Sequence, residues 1–475
     1  MSQRETVKDL LELTGSEAAA PVPGLALVWS GDRPLSVALP LGSAGIKIGR
    51  TLVVDIEGDE RISRRHAQVT REAGRFRVTD LGSSNGTFVD GRLCRAPEVV
   101  DAGAVIRVGQ TLFVCLDDVG PLAAQPVRAP AAGDDGVVGP RLARAFERIA
   151  VAARTSDTLL VLGESGTGKE LAARRFHAAS PRARGPFVPV NCATIPEGIA
   201  ERLLFGARRG AFSGATADAE GYLVAADKGT LFLDELGELD PAVQPKLLRV
   251  LETREVIPLG DTRGRAVNVG ICAATLRDIQ QRVGAGSFRE DLYYRMGRPS
   301  VRLPPLRERR EEIPFLVQHG LGLVSGALRA DVMLIEACLR RPWPGNVREL
   351  LGEARRAAHT AVEKKRTIVD RLDLGSAAGL QLLGPMLAAL APAASPSPSQ
   401  SPASASASAS ATSAGELPPR ERIEEVLRRL DGNVTRAAQE LGLHRNQLRR
   451  WLARNQIDLG TPGPTLPPSP ASTRS

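Results

Sequence analysis

The chain has 475 residues, of which 24% are charged, 43% hydrophobic and only 4% aromatic. That length exceeds what one hydrophobic core organises and predicts roughly three domains. The net charge of +8 favours an acidic partner such as nucleic acid or a nucleotide. Five cysteines (Cys94, Cys115, Cys192, Cys272 and Cys338) form no pair at metal or redox spacing and read as small hydrophobes in a reducing compartment. The five histidines do not cluster, so no metal site of their own is expected. The opening MSQRETVKDLLELTG lacks an apolar signal core, and no run approaches bilayer length. A soluble, cytoplasmic protein with no membrane partner is the expectation.

Residues 22–117 alternate short apolar runs (LALVW, HAQVT, FRVTD, VIRVG, LFVCL) with Gly and Asn breaks, the pattern of an all-β sandwich. Residues 118–136 are rich in Ala, Pro, Gly and Asp and read as a linker. In 137–375 the strand-like TLLVLG leads into a glycine-rich loop and the helical KELAARRFHAA, and GTLFLDE follows as a second strand. This alternation predicts an α/β domain with a largely parallel sheet, and the pattern turns helical from Pro304. Residues 376–415 contain PAASPSPSQSPASASASASATSAG and are expected to be a disordered linker. Residues 416–458 form a short all-α module, and 459–475 a disordered tail.

Gly163, Glu164, Ser165, Gly166, Thr167, Gly168 and Lys169 fit G-x-x-x-x-G-K between a strand and a helix. Glycines let backbone N–H groups curl around phosphate, the helix N-terminus adds positive potential, and the lysine neutralises the terminal phosphates. ATP binding follows. Generic P-loops carry Ser or Thr after the lysine, whereas Glu170 stands here, so magnesium is expected to rely on Asp234 and water. Asp234 and Glu235 end the apolar strand LFL, where one carboxylate can hold Mg and the next can polarise the attacking water.

With these residues in place, 137–375 resembles the AAA+ domain of bacterial sigma-54-dependent transcription activators. GESGTGKE, with Glu170 included, is that family's form of the ATP-binding loop. The resemblance assigns Asn191 of FVPVNCA to hold the Walker B glutamate. It assigns Gly210, Ala211, Phe212, Ser213, Gly214 and Ala215 to the loop that touches the sigma factor. FREDLYYR supplies Arg295, with Arg289 second, as the finger reaching a neighbouring subunit's ATP, and WPGNVREL supplies Arg348 as the sensor-2 arginine. A shared site implies a homo-oligomer, a dimer assembling to a ring that is a hexamer in the family. Two departures stand out. Ser213 replaces the usual threonine of GAFTGA, which predicts weaker sigma contact. Leu276 replaces the sensor-1 asparagine and cannot hydrogen-bond phosphate or water, which predicts slower hydrolysis.

IKIGR, ISRRHAQV and DLGSSNGTFVDG in the first segment resemble the forkhead-associated (FHA) domain. By that resemblance Arg50, Ser63, Arg64 and Asn85 bind phosphothreonine, while His66 and Gly49 brace the loops and Gly86 serves a tight turn. The implied partner is a phosphothreonine-bearing protein or a Ser/Thr kinase. Residues 419–457 resemble the Fis-type helix-turn-helix. Its third helix would carry Arg445, Asn446, Gln447 and Arg449 to base edges, with Arg450 on phosphate. The expectation is therefore an activator that binds enhancer DNA and remodels sigma-54 RNA polymerase with ATP. An FHA-regulated DNA-binding protein with weak or absent ATPase activity is the alternative. A general AAA+ remodelling chaperone would leave the GAFSGA loop and the DNA module without purpose.

Overall fold

Strand β1 (Gly24–Ser30) is buried along its whole length, and its two faces serve different cores. In the computed structural model, which describes residues 20–50, 59–130, 136–196, 198–213, 215–276 and 279–380 with positions 423, 426, 427, 429, 437 and 441, ten strands build the N-terminal sandwich. One sheet runs β2 (Arg33–Pro40), β1, β10 (Thr111–Leu116), β9 (Val105–Val108), β6 (Thr87–Val89) and β7 (Arg92–Leu93). The other runs β3 (Ile46–Ile48), β4 (Ala67–Glu72), β5 (Arg75–Asp80) and β8 (Glu98–Val100). All pairings are antiparallel. Leu25, Leu27, Ile106, Phe113 and Cys115 point inward to meet Ile48, Val69, Phe76 and Val78 of the second sheet.

The alternate residues of the first sheet are apolar as well. Ala26, Val28, Val105, Leu112 and Val114 lie in a separate core with Leu316, Leu321, Ile335 and Leu339 of the helical lid. Two lid helices cover them: Val332–Leu339 lies against β1, β9 and β10, and Ile313–Gly322 against β2. The first is apolar around nearly its whole circumference, as a helix buried on two sides must be. The linker region between the domains carries a short helix, Gly120–Ala124, against β2, and Val127 donates its N–H to Ser36 Oγ at 2.8 Å. The FHA sandwich is thus packed on the lid.

The ATPase sheet is parallel, in the order β12 (Phe187–Asn191), β15 (Thr230–Asp234), β18 (Gly270–Thr275), β11 (Thr158–Leu162) and β19 (Ser300–Arg302). Both faces are covered, so the strands are apolar without alternation. Leu159, Val161, Phe232 and Cys272 pack under helices Pro140–Thr155 and Lys169–Ala179, while Leu160, Leu231, Leu233 and Ile271 face the other side. Two small hairpins project from this domain, β13 (Gly206–Ala207) with β14 (Ala219–Glu220) and β16 (Glu255–Val256) with β17 (Arg265–Ala266). The lid includes the long helix Asn346–Glu363, after which Ile368–Val369 pairs with Arg329–Ala330. Residues up to Leu380, at the start of the stretch read as disordered, return to the lid, where Trp343 donates its backbone N–H to Gly379. All five cysteines are buried and unpaired.

Residues 390–475 form a second unit, described only at isolated positions. There Ile423, Val426 and Leu427 are helical and buried at i, i+3, i+4 spacing, and Ala437 is helical and buried. Arg445, Asn446, Gln447, Arg449 and Arg450 lie outside the described residues. Among the described residues no helix is long and apolar enough to cross a membrane.

Candidate functional site

The carboxyl ends of the parallel strands hold the first candidate site, as open α/β sheets favour. β11 leads into the loop Gly163–Gly168, and helix Lys169–Ala179 follows at once. Gly166 and Gly168 have φ of 73° and 103°, the left-handed region that other residues enter at a cost. A Cβ on Gly166 would also strike the Gly345 carbonyl at 2.2 Å. The loop borders a cavity of about 350 Å³ that also reaches Asn191, Asp234, Glu235 and Arg348. Apolar Val137, Leu142, Leu316, Val347 and Leu351 line it as well.

Lys169 is buried, and Nζ donates to the carbonyls of Gly163 and Glu164 at 3.2 and 3.4 Å. Glu235 Oε1 stands 3.9 Å from the ammonium. Burial pulls the Lys169 pKa below its ordinary value, and Glu235 and Asp234 oppose that pull. Asp234 ends β15 and Oδ1 accepts the Glu235 N–H at 3.0 Å, while Glu235 itself takes a left-handed φ of 53°. Asn191 pairs with Asp234 in the sheet register and lines the cavity. The hydrogen bond expected from Asn191 to Glu235 is not made here; Asn191 Oδ1 accepts the N–H of Ala193 at 3.0 Å and caps the turn there. Glu170 lies on the exposed helix face, paired with Arg174 at 2.8 Å.

The lid grips the phosphate loop almost residue by residue, a feature that sequence motifs alone did not reveal. Glu164 accepts two hydrogen bonds from Arg307, at 2.8 and 2.7 Å, and a third from Asn346 at 3.2 Å. Arg307 first, and Asn346 after it, hold the Glu164 carboxyl below its usual range against the effect of burial. Asn346 is fully buried and also donates to the Ser165 carbonyl, and Arg348 reaches Ser165 Oγ at 3.3 Å. The Val347 N–H donates to the Gly166 carbonyl at 3.0 Å. The Thr167 carbonyl accepts from the buried Arg309 at 2.9 Å.

Other expected residues sit away from this cavity. Arg289 is paired with Asp291 at 2.7 Å, and Arg295 donates to the Leu251 carbonyl at 3.2 Å. Leu276 follows β18 and is 43% exposed, beside Gly163 and Glu164 but in a neighbouring cleft. Residues 208–213 and 215–218 lie at the tip of the β13–β14 hairpin, anchored where Arg208 pairs with Asp218 and Asp261 at 2.7 and 2.9 Å. Gly210 and Ala215 close the loop backbone at 2.9 Å, and Phe212 is 39% exposed with the Arg202 guanidinium over its ring. Ala211 and Ser213 belong to the same tip, and Gly214 lies outside the described residues.

The second candidate site is the loop end of the FHA sandwich. Arg50 donates from Nε to the Ile62 carbonyl at 3.0 Å and from Nη2 to the Glu60 carbonyl at 2.9 Å. Ser63 Oγ accepts the Ser84 N–H at 3.1 Å, and Asn85 Nδ2 donates to the Arg61 carbonyl at 2.7 Å. These bonds join the 59–66 loop to the 81–86 loop. Arg64 is exposed and has no hydrogen-bond partner among the described residues, 51–58 lying outside them. His66 is fully buried and braces both loops, accepting the Ser63 N–H on Nδ1 and meeting the Gly86 carbonyl through Nε2 at 3.2 Å. A Cβ on Gly49 would strike the Arg64 carbonyl at 2.2 Å, so only glycine fits. Two carboxylates unread in the sequence complete the frame. Asp59, buried, accepts from Gln110 N and Thr111 Oγ1, and Asp80 accepts from Ser83, Thr87 and the Gly82 N–H.

Comparison with known proteins agrees with this division. Family models match a Sigma-54 interaction domain at 138–302, an AAA+ ATPase lid domain at 307–377, an FHA domain at 46–109 and a Fis-family bacterial regulatory protein at 420–454. The Nif-specific regulatory protein of Azotobacter vinelandii is 44% identical over 272 residues, covering 56% of this chain and 51% of the relative. The transcriptional regulatory protein ZraR of Salmonella typhimurium is 36% identical over 360 residues, covering 73% and 75%. A crystal structure of NtrX from Brucella abortus in complex with ATP is 28% identical with a TM-score of 0.46, covering 68% of each chain. The chain belongs to the sigma-54-dependent transcriptional regulators. It spans 51 to 60% of the length of the first such relatives, the Azotobacter protein and the hydrogenase regulator HoxA of Bradyrhizobium diazoefficiens among them.

Proposed function

We propose that this chain is an enhancer-binding activator that hydrolyses ATP to drive open-complex formation by sigma-54 RNA polymerase, under the control of phosphothreonine binding. The observation that carries the reading is the joining, on one ATPase core, of the Lys169–Asp234–Glu235 cavity with the GAFSGA hairpin. Lys169 balances the terminal phosphates, and Glu235, released from its 3.9 Å contact with Lys169, polarises the attacking water. The free oxygen of Asp234 at the strand end suits magnesium, which would supply charge neutralisation at the phosphates. Arg295, with Arg289 beside it, acts on the ATP of a neighbouring subunit in a ring, since neither lines the cavity of its own chain. The hairpin tip, with Phe212 exposed, meets the sigma factor.

At the other end of the chain, Arg64 with Arg50, Ser63 and Asn85 receives the phosphate of a phosphothreonine protein, and 416–458 binds DNA as a dimer. The setting is the cytoplasm. In vitro transcription from a sigma-54 promoter with wild type, Lys169→Ala and Ser213→Ala tests the reading. Full activation by Lys169→Ala would overturn it. One observation favours the second reading, a phosphopeptide-regulated DNA-binding protein with little turnover: the exposed, apolar Leu276 at the sensor-1 position.

A further inference from the structure

Arg309 and Arg310 are consecutive, yet they reach into different domains. The Arg309 guanidinium is 1% exposed, donating to the Thr167 carbonyl of the phosphate loop at 2.9 Å and to Glu312 at 2.9 Å. Arg310 donates from Nη1 to the Gly103 carbonyl at 2.6 Å, in the turn between β8 and β9 of the FHA sandwich. Two residues on, the fully buried Glu312 accepts the N–H of Gly139, where the first ATPase helix begins. A stretch of four residues, its last three in a tight 3-10 turn, therefore touches the FHA domain, the ATP loop and the ATPase core.

This stretch cannot move freely. The outer sheet face of the sandwich shares an apolar core with the lid on either side of it. Within that interface Arg107 pairs with Glu336 at 3.0 Å, with side chains only 12% and 3% exposed. Nε of both Arg309 and Arg310 is buried without a partner, so each guanidinium depends on its remaining bonds to offset desolvation. A shift of the segment would cost those bonds at both ends.

We propose that the FHA domain is a structural part of the ATP site: through Gly103 it fixes Arg310, and Arg310 is a positioning residue that keeps Arg309 seated on the Thr167 carbonyl. Loss of that seat loosens the loop whose backbone must face the phosphates. The carboxylates that act at the γ-phosphate, Asp234 at the end of β15 and Glu235 after it, keep their places, while Lys169 heads the helix that follows the loop. The effect therefore falls on ATP binding more than on the chemical step.

The test uses the full chain carrying Arg310→Ala, Arg310→Gln or Arg310→Lys, with Arg77→Ala as control. Arg77 is a half-exposed FHA arginine paired with Glu72, far from the lid contact in sequence. Affinity for a fluorescent ATP analogue, KM, kcat and Tm are measured for each. Arg310→Ala is expected to raise Kd and KM about tenfold with kcat within about twofold. Lysine, long enough to donate to Gly103 still, should recover most of the affinity, and the shorter glutamine should not. Should the alanine variant not fold, the Lys and Gln variants are read in the same way. Unchanged Kd and KM in both Arg310→Ala and Arg310→Gln overturn the proposal. So does a loss confined to kcat, or a fall in Tm with affinity intact, or an equal loss in Arg77→Ala. The binding measurement stands whether or not the chain turns ATP over.

Discussion

Two loops in this chain meet phosphate in the proposed function, and they are held in shape by different routes. The FHA loops are tied to one another: Arg50, Ser63, Asn85 and His66 all bond within the sandwich. The loop at Gly163–Lys169 is tied to a different subdomain, through Arg307, Arg309, Asn346, Val347 and Arg348 of the lid. A self-contained loop keeps its form whatever its neighbours do. A loop held from outside changes when its holder moves, which is what an ATP site coupled to conformational change requires.

Lys169→Ala gives the largest expected effect, a fall in ATP turnover of at least about a hundredfold, because among the described residues no other lysine lines the cavity. Steady-state hydrolysis reads it. Arg309→Ala separates the two routes more sharply. It strips the buried Glu312 of the Arg309 cation and leaves it the Gly139 N–H, and chemical denaturation should show a loss of about 3–5 kcal/mol. A loss below about 1 kcal/mol would mean that the loop does not depend on the lid. On the FHA side, Arg64→Ala should weaken a phosphothreonine peptide about ten- to a hundredfold, the worth of one or two charge-assisted hydrogen bonds. Titration calorimetry with the phosphorylated and unphosphorylated peptide checks this. Leu276→Asn restores a polar group at the sensor-1 position and should raise turnover roughly two- to tenfold. No change there would remove the one observation favouring a weakly hydrolysing protein.

The same contrast explains what the sequence made legible. Glycine-rich loops, strand-terminal carboxylates and the FHA motifs are short-range patterns, so Gly163–Lys169, Asp234–Glu235 and an FHA domain within 22–117 could be read from the sequence. The lid grip pairs residues more than 140 positions apart, such as Glu164 with Arg307, and no local spacing encodes it. The docking of the FHA domain left a trace that needs both faces of a strand to be considered. β1 and β10 carry apolar residues on the solvent side as well, Ala26 and Val28 with Leu112 and Val114. Such a pattern announces a second cover without naming it. Asn191 was read from its motif, and in the structure its Oδ1 caps the local turn at Ala193, a local backbone bond that asparagine commonly makes.

The smallest expected effect probes how self-contained the FHA loops are. Asp80 is only partly buried, and burial pushes its pKa up. Hydrogen bonds from Ser83, Thr87 and the backbone N–H groups of Ser83 and Gly82 outweigh that and hold the carboxyl at about 2, below its ordinary value of 3.8. A depressed folded-state pKa contributes stability that is present above the unfolded value and lost as pH falls through the folded one. The loop should therefore lose order between about pH 4 and pH 2, and Asp80→Asn should flatten that part of the profile. Hydrogen exchange at the amides of Ser83 and Ser84 across this window reads the loop directly. Glu311, buried beside the lid grip, has the opposite character. Burial first and then Glu312 push it up to about 7, so its charge opposes folding above the unfolded pKa of about 4.5. Acid thus weakens the FHA loops while relieving the lid, and exchange profiles that moved together at both sites would contradict the independence of the two routes.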